Sequence, residues 1–133
     1  MECASVRGVR RVPLLDFVVG VKRTALAPDE LITAVWVRPS GAAQTFMKVG
    51  PRNAMVIAVV SLAVSAGDEL RASIGSASPR PVVVTAPRSE ASSFPELVAD
   101  ASSPIDDVRG TADYRRHALR VLARRALERT LAA

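Results

Sequence analysis

The sequence predicts an α+β fold, an antiparallel sheet of three to four strands followed by helices packed on one of its faces. Three observations carry this expectation. Short β-branched runs separated by turn residues occupy residues 46–74. Beyond Gly75, Pro79, Pro81 and Pro87 interrupt regular pairing. Residues 112–131 then contain neither Pro nor Gly and are rich in Ala, Leu and Arg, the composition of a long helix.

The first stretch, Val6 to Val21, mixes β-type runs with Gly8, Pro13 and Gly20, which predicts strand fragments. Leu31 to Val37 is expected to be a strand that Pro39 stops, with residues 39–43 as a boundary. Phe46 to Val49 predicts the next strand. Gly50-Pro51-Arg52-Asn53 supplies a tight connection to a partner over Val56 to Val64. Leu70 to Ile74 alternates apolar and polar side chains with the period of two of a half-buried strand. Pairing is expected to stop near Val84.

Phe94 to Ala101 predicts a short helix with Pro95 in its first turn, where a missing N–H costs nothing. Thr111 is placed as the N-cap of the last helix. In that helix Leu119, Leu122 and Ala126 form an apolar stripe, widened by Tyr114, Ala118 and Val121. Arg116, Arg120, Arg124 and Glu128 follow at four-residue spacing on another side.

Composition excludes several function classes. A chain of 133 residues with 49% hydrophobic side chains supports one domain with a substantial core and not a second full one. The longest apolar run, Ala54 to Val64, has eleven residues including Ser61, short of the roughly twenty that span a bilayer. Near the N-terminus Arg7, Arg10 and Arg11 precede an apolar stretch that Asp16 interrupts, which is no secretory signal. Cys3 is the only cysteine and is expected in a frayed terminus. Cysteine-held zinc or iron–sulfur in this chain is therefore excluded, and a reducing, cytoplasmic setting is expected.

The net charge of +5 comes almost wholly from arginine, with lysine only at Lys22 and Lys48. Such a balance predicts non-specific affinity for anions more than a function. Six arginines lie between Arg115 and Arg129, but Tyr114 is the sole aromatic there, too few for base stacking. A protein-facing helix is expected, since arginine suits interfaces. Catalytic sets are missing: His117 is the only histidine, flanked by Arg115 and Arg116, and no Gly-rich phosphate motif is present. Asp106-Asp107 is expected to form a turn and pair with Arg109.

Three segments together resemble the medium, FAD-binding subunit of the molybdenum hydroxylases of the xanthine dehydrogenase and carbon monoxide dehydrogenase type. The first runs from Asp16-Phe17 to Gly20 and then from Thr24 to Ile32, similar to that family's linker leaving the flavin domain. The second is Phe46-Met47-Lys48-Val49-Gly50-Pro51-Arg52-Asn53-Ala54-Met55-Val56-Ile57-Ala58. The third is Pro104-Ile105-Asp106-Asp107-Val108-Arg109-Gly110-Thr111-Ala112-Asp113-Tyr114-Arg115-Arg116-His117. The resemblance implies the family's flavoprotein C-terminal domain fold over 40–133, with residues 1–39 as the tail and linker of an FAD-binding domain.

It further implies a role in positioning FAD as electrons pass from iron–sulfur clusters to an acceptor. The partners implied are an iron–sulfur small subunit, carrying 2Fe-2S clusters, and a molybdopterin large subunit. Ile32 matches a residue packing near the flavin, Lys48 a lysine beside it, and Arg52 a basic residue of the adjoining loop. Val56 departs from the pattern, standing where an aspartate is common. The family's N-terminal half, with its Gly-rich FAD loops, has no counterpart, so the site is expected to be incomplete and the isolated chain inactive. The alternative is a small basic module that binds nucleic acid, or a cofactor-free interaction domain.

Overall fold

A computed structural model describes residues 1–132, in two compact units, Met1–Ser40 and Gly41–Ala133. In the first unit, β1 (Glu2–Ser5) pairs antiparallel with β2 (Gly8–Arg11) on one side and β5 (Leu31–Ala34) on the other. Between them lie a single helical turn, α1 (Leu14–Phe17), and a small ribbon of β3 (Val18–Gly20) with β4 (Arg23–Thr24). Cys3 is fully buried at the centre of this sheet, which corrects the expectation of a frayed terminus: strands on both sides cover it. The strand expected to reach Val37 stops at Ala34, because β1 is only four residues long. Beyond it, Trp36 is held by side chains instead. Its Nε1 donates to Glu2 Oε2 at 2.9 Å, and the Arg11 guanidinium lies 3.9 Å above its ring.

Glu30 is the one buried carboxylate of this unit. Arg10 donates to it from Nε at 2.6 Å and Nη2 at 2.8 Å, and the Ala27 N–H at 2.8 Å. These donors, Arg10 first, lower its pKa from 4.5 to about 2. A depressed folded-state value stabilises the unit above the unfolded pKa, and the contribution is lost as pH falls from about 4.5 through about 2. We expect the Ala27 amide to exchange progressively faster across that window, and Glu30→Gln to abolish the pH dependence. A parent protein whose Ala27 exchange follows only the intrinsic rate would contradict this.

The second unit is a four-stranded antiparallel meander, β6 (Ala43–Val49), β7 (Val60–Ala66), β8 (Glu69–Gly75) and β9 (Val82–Pro87). It is followed by α2 (Phe94–Asp100) and α3 (Ala112–Leu131). The predicted α+β class and the order of sheet then helices are thus met. On one face Leu62, Val64, Leu70, Ala72 and Ile74 are buried with Phe94, Val98, Leu119, Leu122 and Ala126 in a single core. Helix α3 packs on β6, β7 and α2. Thr111 caps it, accepting from the Tyr114 N–H at 3.2 Å, and Asp106 Oδ1 accepts from the Ala112 N–H at 2.6 Å.

Three expectations are corrected here. The link from β6 to β7 is not a tight turn but a loop over residues 50–59, and β7 starts at Val60, not Val56. Residues 56–58 are β-branched or apolar, yet Val49↔Val60 is the last pair of the ladder, leaving them no strand to bond. The sheet has the four strands that the expected range allows, but pairing does not stop near Val84 and runs on to Pro87 opposite Glu69; a terminal proline is tolerated where no N–H is needed. Finally, Tyr114 is exposed and Val121 only partly covered, whereas Arg115 is buried.

Candidate functional site

Period-two alternation along β6 turns Thr45 and Met47 towards the core and Gln44, Phe46 and Lys48 to the other face of the sheet. Register extends these into rows. Lys48 lies beside Ser61 and Gly75, and Phe46 beside Ala63, Ser73 and Val83. Gln44 lies beside Ser65, Arg71 and Thr85. Ala63, Ser65 and Ser73 on the two middle strands, with Gln44, Phe46, Arg71 and Val83 around them, leave a shallow hollow of about 470 Å³ on this open face.

Lys48 stands where the sheet meets the loop 50–59. Its Nζ donates to the Val56 carbonyl at 3.2 Å, so the ammonium is tied to the loop while the side chain remains exposed. The loop is folded tightly there: a Cβ on Gly50 would fall 2.7 Å from Val56 Cγ2, so a side chain at this position would force Val56 to move. At the loop's base the Val59 N–H donates to the Val49 carbonyl at 2.7 Å. Arg52 sits exposed within the loop, where the Ala54 N–H donates to the Arg52 carbonyl at 3.0 Å. Met55 and Ile57 in the same loop are exposed. The end of β6 and the loop together therefore offer two cations and apolar surface on one short segment.

Of the three residues singled out in the sequence, Lys48 and Arg52 are thus carried by one strand and the loop that follows it. Ile32 lies on β5 of the first unit, with 46% of its surface exposed. His117 is exposed on α3. Asp107 forms the expected turn: its carboxylate accepts from the Arg109 N–H at 2.8 Å and side chain at 2.6 Å. It also accepts from Arg115 at 2.5 Å. Arg109 first, and then Arg115, hold this carboxyl well below the usual carboxylate range.

Arg115 is the residue that sequence reasoning misplaced. Its residue type groups it with the other arginines of α3, yet it precedes Leu119, Leu122 and Ala126 by four, seven and eleven positions, and so belongs to the buried stripe. Of the six arginines of α3, Arg116 pairs with Asp113 and Arg120 with Glu96 of α2. The basic helix is in part a packing surface, not a free cationic face. Among the described residues no group of His, Cys, Asp or Glu is arranged to hold a metal, and no helix is long and apolar enough to cross a membrane.

Comparison with known proteins gives a consistent picture. No family model matches the chain. The chain is 33% identical over 144 aligned positions to the medium subunit of nicotine 6-hydroxylase from Paenarthrobacter nicotinovorans, covering 96% of this chain and 50% of that one. Its fold superposes on quinoline 2-oxidoreductase from Pseudomonas putida 86 with a TM-score of 0.83 at 23% identity, covering 98% of this chain and 51% of that one. Against reconstituted CO dehydrogenase from Oligotropha carboxidovorans the TM-score is 0.79 at 26% identity, covering 98% and 52%. The chain spans about half the length of each of these three relatives.

Proposed function

Because the chain belongs to the flavoprotein family of the molybdenum hydroxylases and carbon monoxide dehydrogenases, we propose that it serves as the C-terminal domain of an FAD-binding subunit, presenting Lys48 and Arg52 to the flavin. The observation that carries this reading is the pairing of two exposed cations on one strand and loop, with the Lys48 ammonium held against the Val56 carbonyl.

The donor set fits part of FAD and not all of it. An ammonium and a guanidinium suit an anionic edge of the cofactor. A pyrophosphate cradle needs clustered glycines at a strand–helix turn, and the glycines of the second unit, Gly41, Gly50, Gly67, Gly75 and Gly110, stand singly. FAD, when bound, supplies the redox chemistry, passing electrons from iron–sulfur clusters to an acceptor. This chain's part is electrostatic and positional. Lys48 favours added negative charge beside it, Arg52 orders the approach of an anion, and Ile32 offers a separate apolar contact from the first unit. Residues 1–39 then act as the tail and linker of an FAD-binding domain, and the partners are an iron–sulfur subunit and a molybdopterin subunit. The chain by itself is inactive. A reducing cytoplasm suits the single buried thiol of Cys3.

The test supplies the half of the nicotine 6-hydroxylase medium subunit that this chain does not match, as a separate polypeptide, and titrates FAD while following flavin fluorescence. Lys48→Met should weaken FAD about tenfold or more, since a hydrogen bond to a charged group is worth about 1.5–3 kcal/mol. Equal FAD affinity with and without the ammonium would reject the role given to Lys48.

A further inference from the structure

Arg115 is a cation in the place of a core side chain. It is 2% exposed. Its Nη1 donates to the Val59 carbonyl at 3.1 Å and the Ser76 carbonyl at 2.7 Å, and its Nη2 to Asp107 Oδ1 at 2.5 Å. Nε is buried and meets no acceptor among the described residues. A buried cation with one unmet N–H is a poor source of stability, because apolar side chains of similar volume often replace buried ion pairs without loss. What the guanidinium has and an apolar side chain lacks is direction: a planar fork holds several acceptors in fixed relation.

The three acceptors lie on three segments. Val59 closes the base of the loop that carries Arg52 and whose Val56 carbonyl receives Lys48. Ser76 follows β8 in a left-handed backbone conformation, φ 62°, which a non-glycine residue adopts only where its surroundings hold it. Asp107 precedes α3 and is braced in turn by Arg109. Gly110 closes the same place, since a Cβ there would fall 3.3 Å from both Val59 Cγ1 and Tyr114 Cδ1. Helix α3, the turn at Asp107, the residue after β8 and the cation-bearing loop thus meet at one guanidinium.

We infer that Arg115, braced by Asp107, is a positioning residue that sets the conformation of loop 50–59 and so the direction in which Lys48 and Arg52 are presented. The flavin side of this inference rests on the function proposed above; the loop side does not.

Hydrogen exchange on the full chain tests it. Arg115→Lys keeps the charge and removes the fork. The amides of Ala54 and Val59 should then exchange at least tenfold faster, while those of Ala72 and Ile74 in β8 change less than twofold. Asp107→Asn should loosen the same amides selectively and to a smaller degree, and it alone decides the matter if Arg115→Lys does not fold. Unchanged loop amides in a folded variant overturn the inference, as does acceleration spread evenly over the sheet, the sign of a purely structural role. FAD titration of the completed subunit separates the two claims. A loosened loop with weakened FAD supports both, whereas a loosened loop with unchanged FAD affinity keeps the positioning role and overturns the flavin-facing one.

Discussion

Phe94→Ala is expected to lower the stability of the second unit by about 3–5 kcal/mol, the usual cost of removing a buried aromatic ring and leaving a cavity. Phe94 is fully buried at the start of α2, in the core that also holds Leu62, Leu70, Val98 and Leu119. Helix α2 is only seven residues long, too short to form without tertiary packing, and a ring at its first turn is a main attachment. Because a domain's whole stability is about 5–15 kcal/mol, the loss should show as a large fall in the denaturation midpoint followed by circular dichroism. A shift worth less than about 1 kcal/mol would mean that α2 lies outside the cooperative core.

Ala123→Glu should be as damaging at neutral pH and far milder in acid. Ala123 is fully buried on α3 within the same core, where a carboxylate finds no partner. Burial of this kind raises a carboxyl pKa by about 3 units, equivalent to about 3.4 kcal/mol at pH 7. The folded-state value is raised, so the electrostatic penalty is absent below the unfolded value near 4.3 and grows as pH rises towards the folded one. Denaturation midpoints relative to the parent at pH 4 and pH 7 check the sign. A deficit equal at both would assign the damage to side-chain volume alone.

Both substitutions probe parts of the fold that were legible before any coordinates. Helix α3 spans Ala112–Leu131 with Thr111 as its cap, and α2 spans Phe94–Asp100, close to their expected bounds, because propensity, capping and breakers act over a few residues. The alternation of β8 was visible for the same local reason. What could not be seen depends on distant partners. Val56 to Val59 look like strand, and only the lack of a strand opposite them makes them loop. Cys3 is buried by β5, some thirty positions away.

The candidate site divides likewise. That Phe46 and Lys48 share one face of β6 follows from the pleat alone, whereas the tie from Lys48 Nζ to Val56 depends on a loop fold that no periodicity encodes. Arg115 is the instructive case. Its residue type argued for the surface and its spacing for the core, and in the structure spacing prevails because Val59, Ser76 and Asp107 supply acceptors from three other segments.

The order of elements along the second unit also bears on how the protein is made. The apolar side of the meander is complete once Pro87 has been synthesised, but the long helix that shields it runs to Leu131. At ribosomal rates of about 5–20 residues per second, those intervening residues take several seconds to appear. During that interval a nascent sheet rich in valine is left sticky. Chaperone occupancy and losses to inclusion bodies should therefore peak in chains arrested between β9 and α3, and fall once the closing helix has emerged.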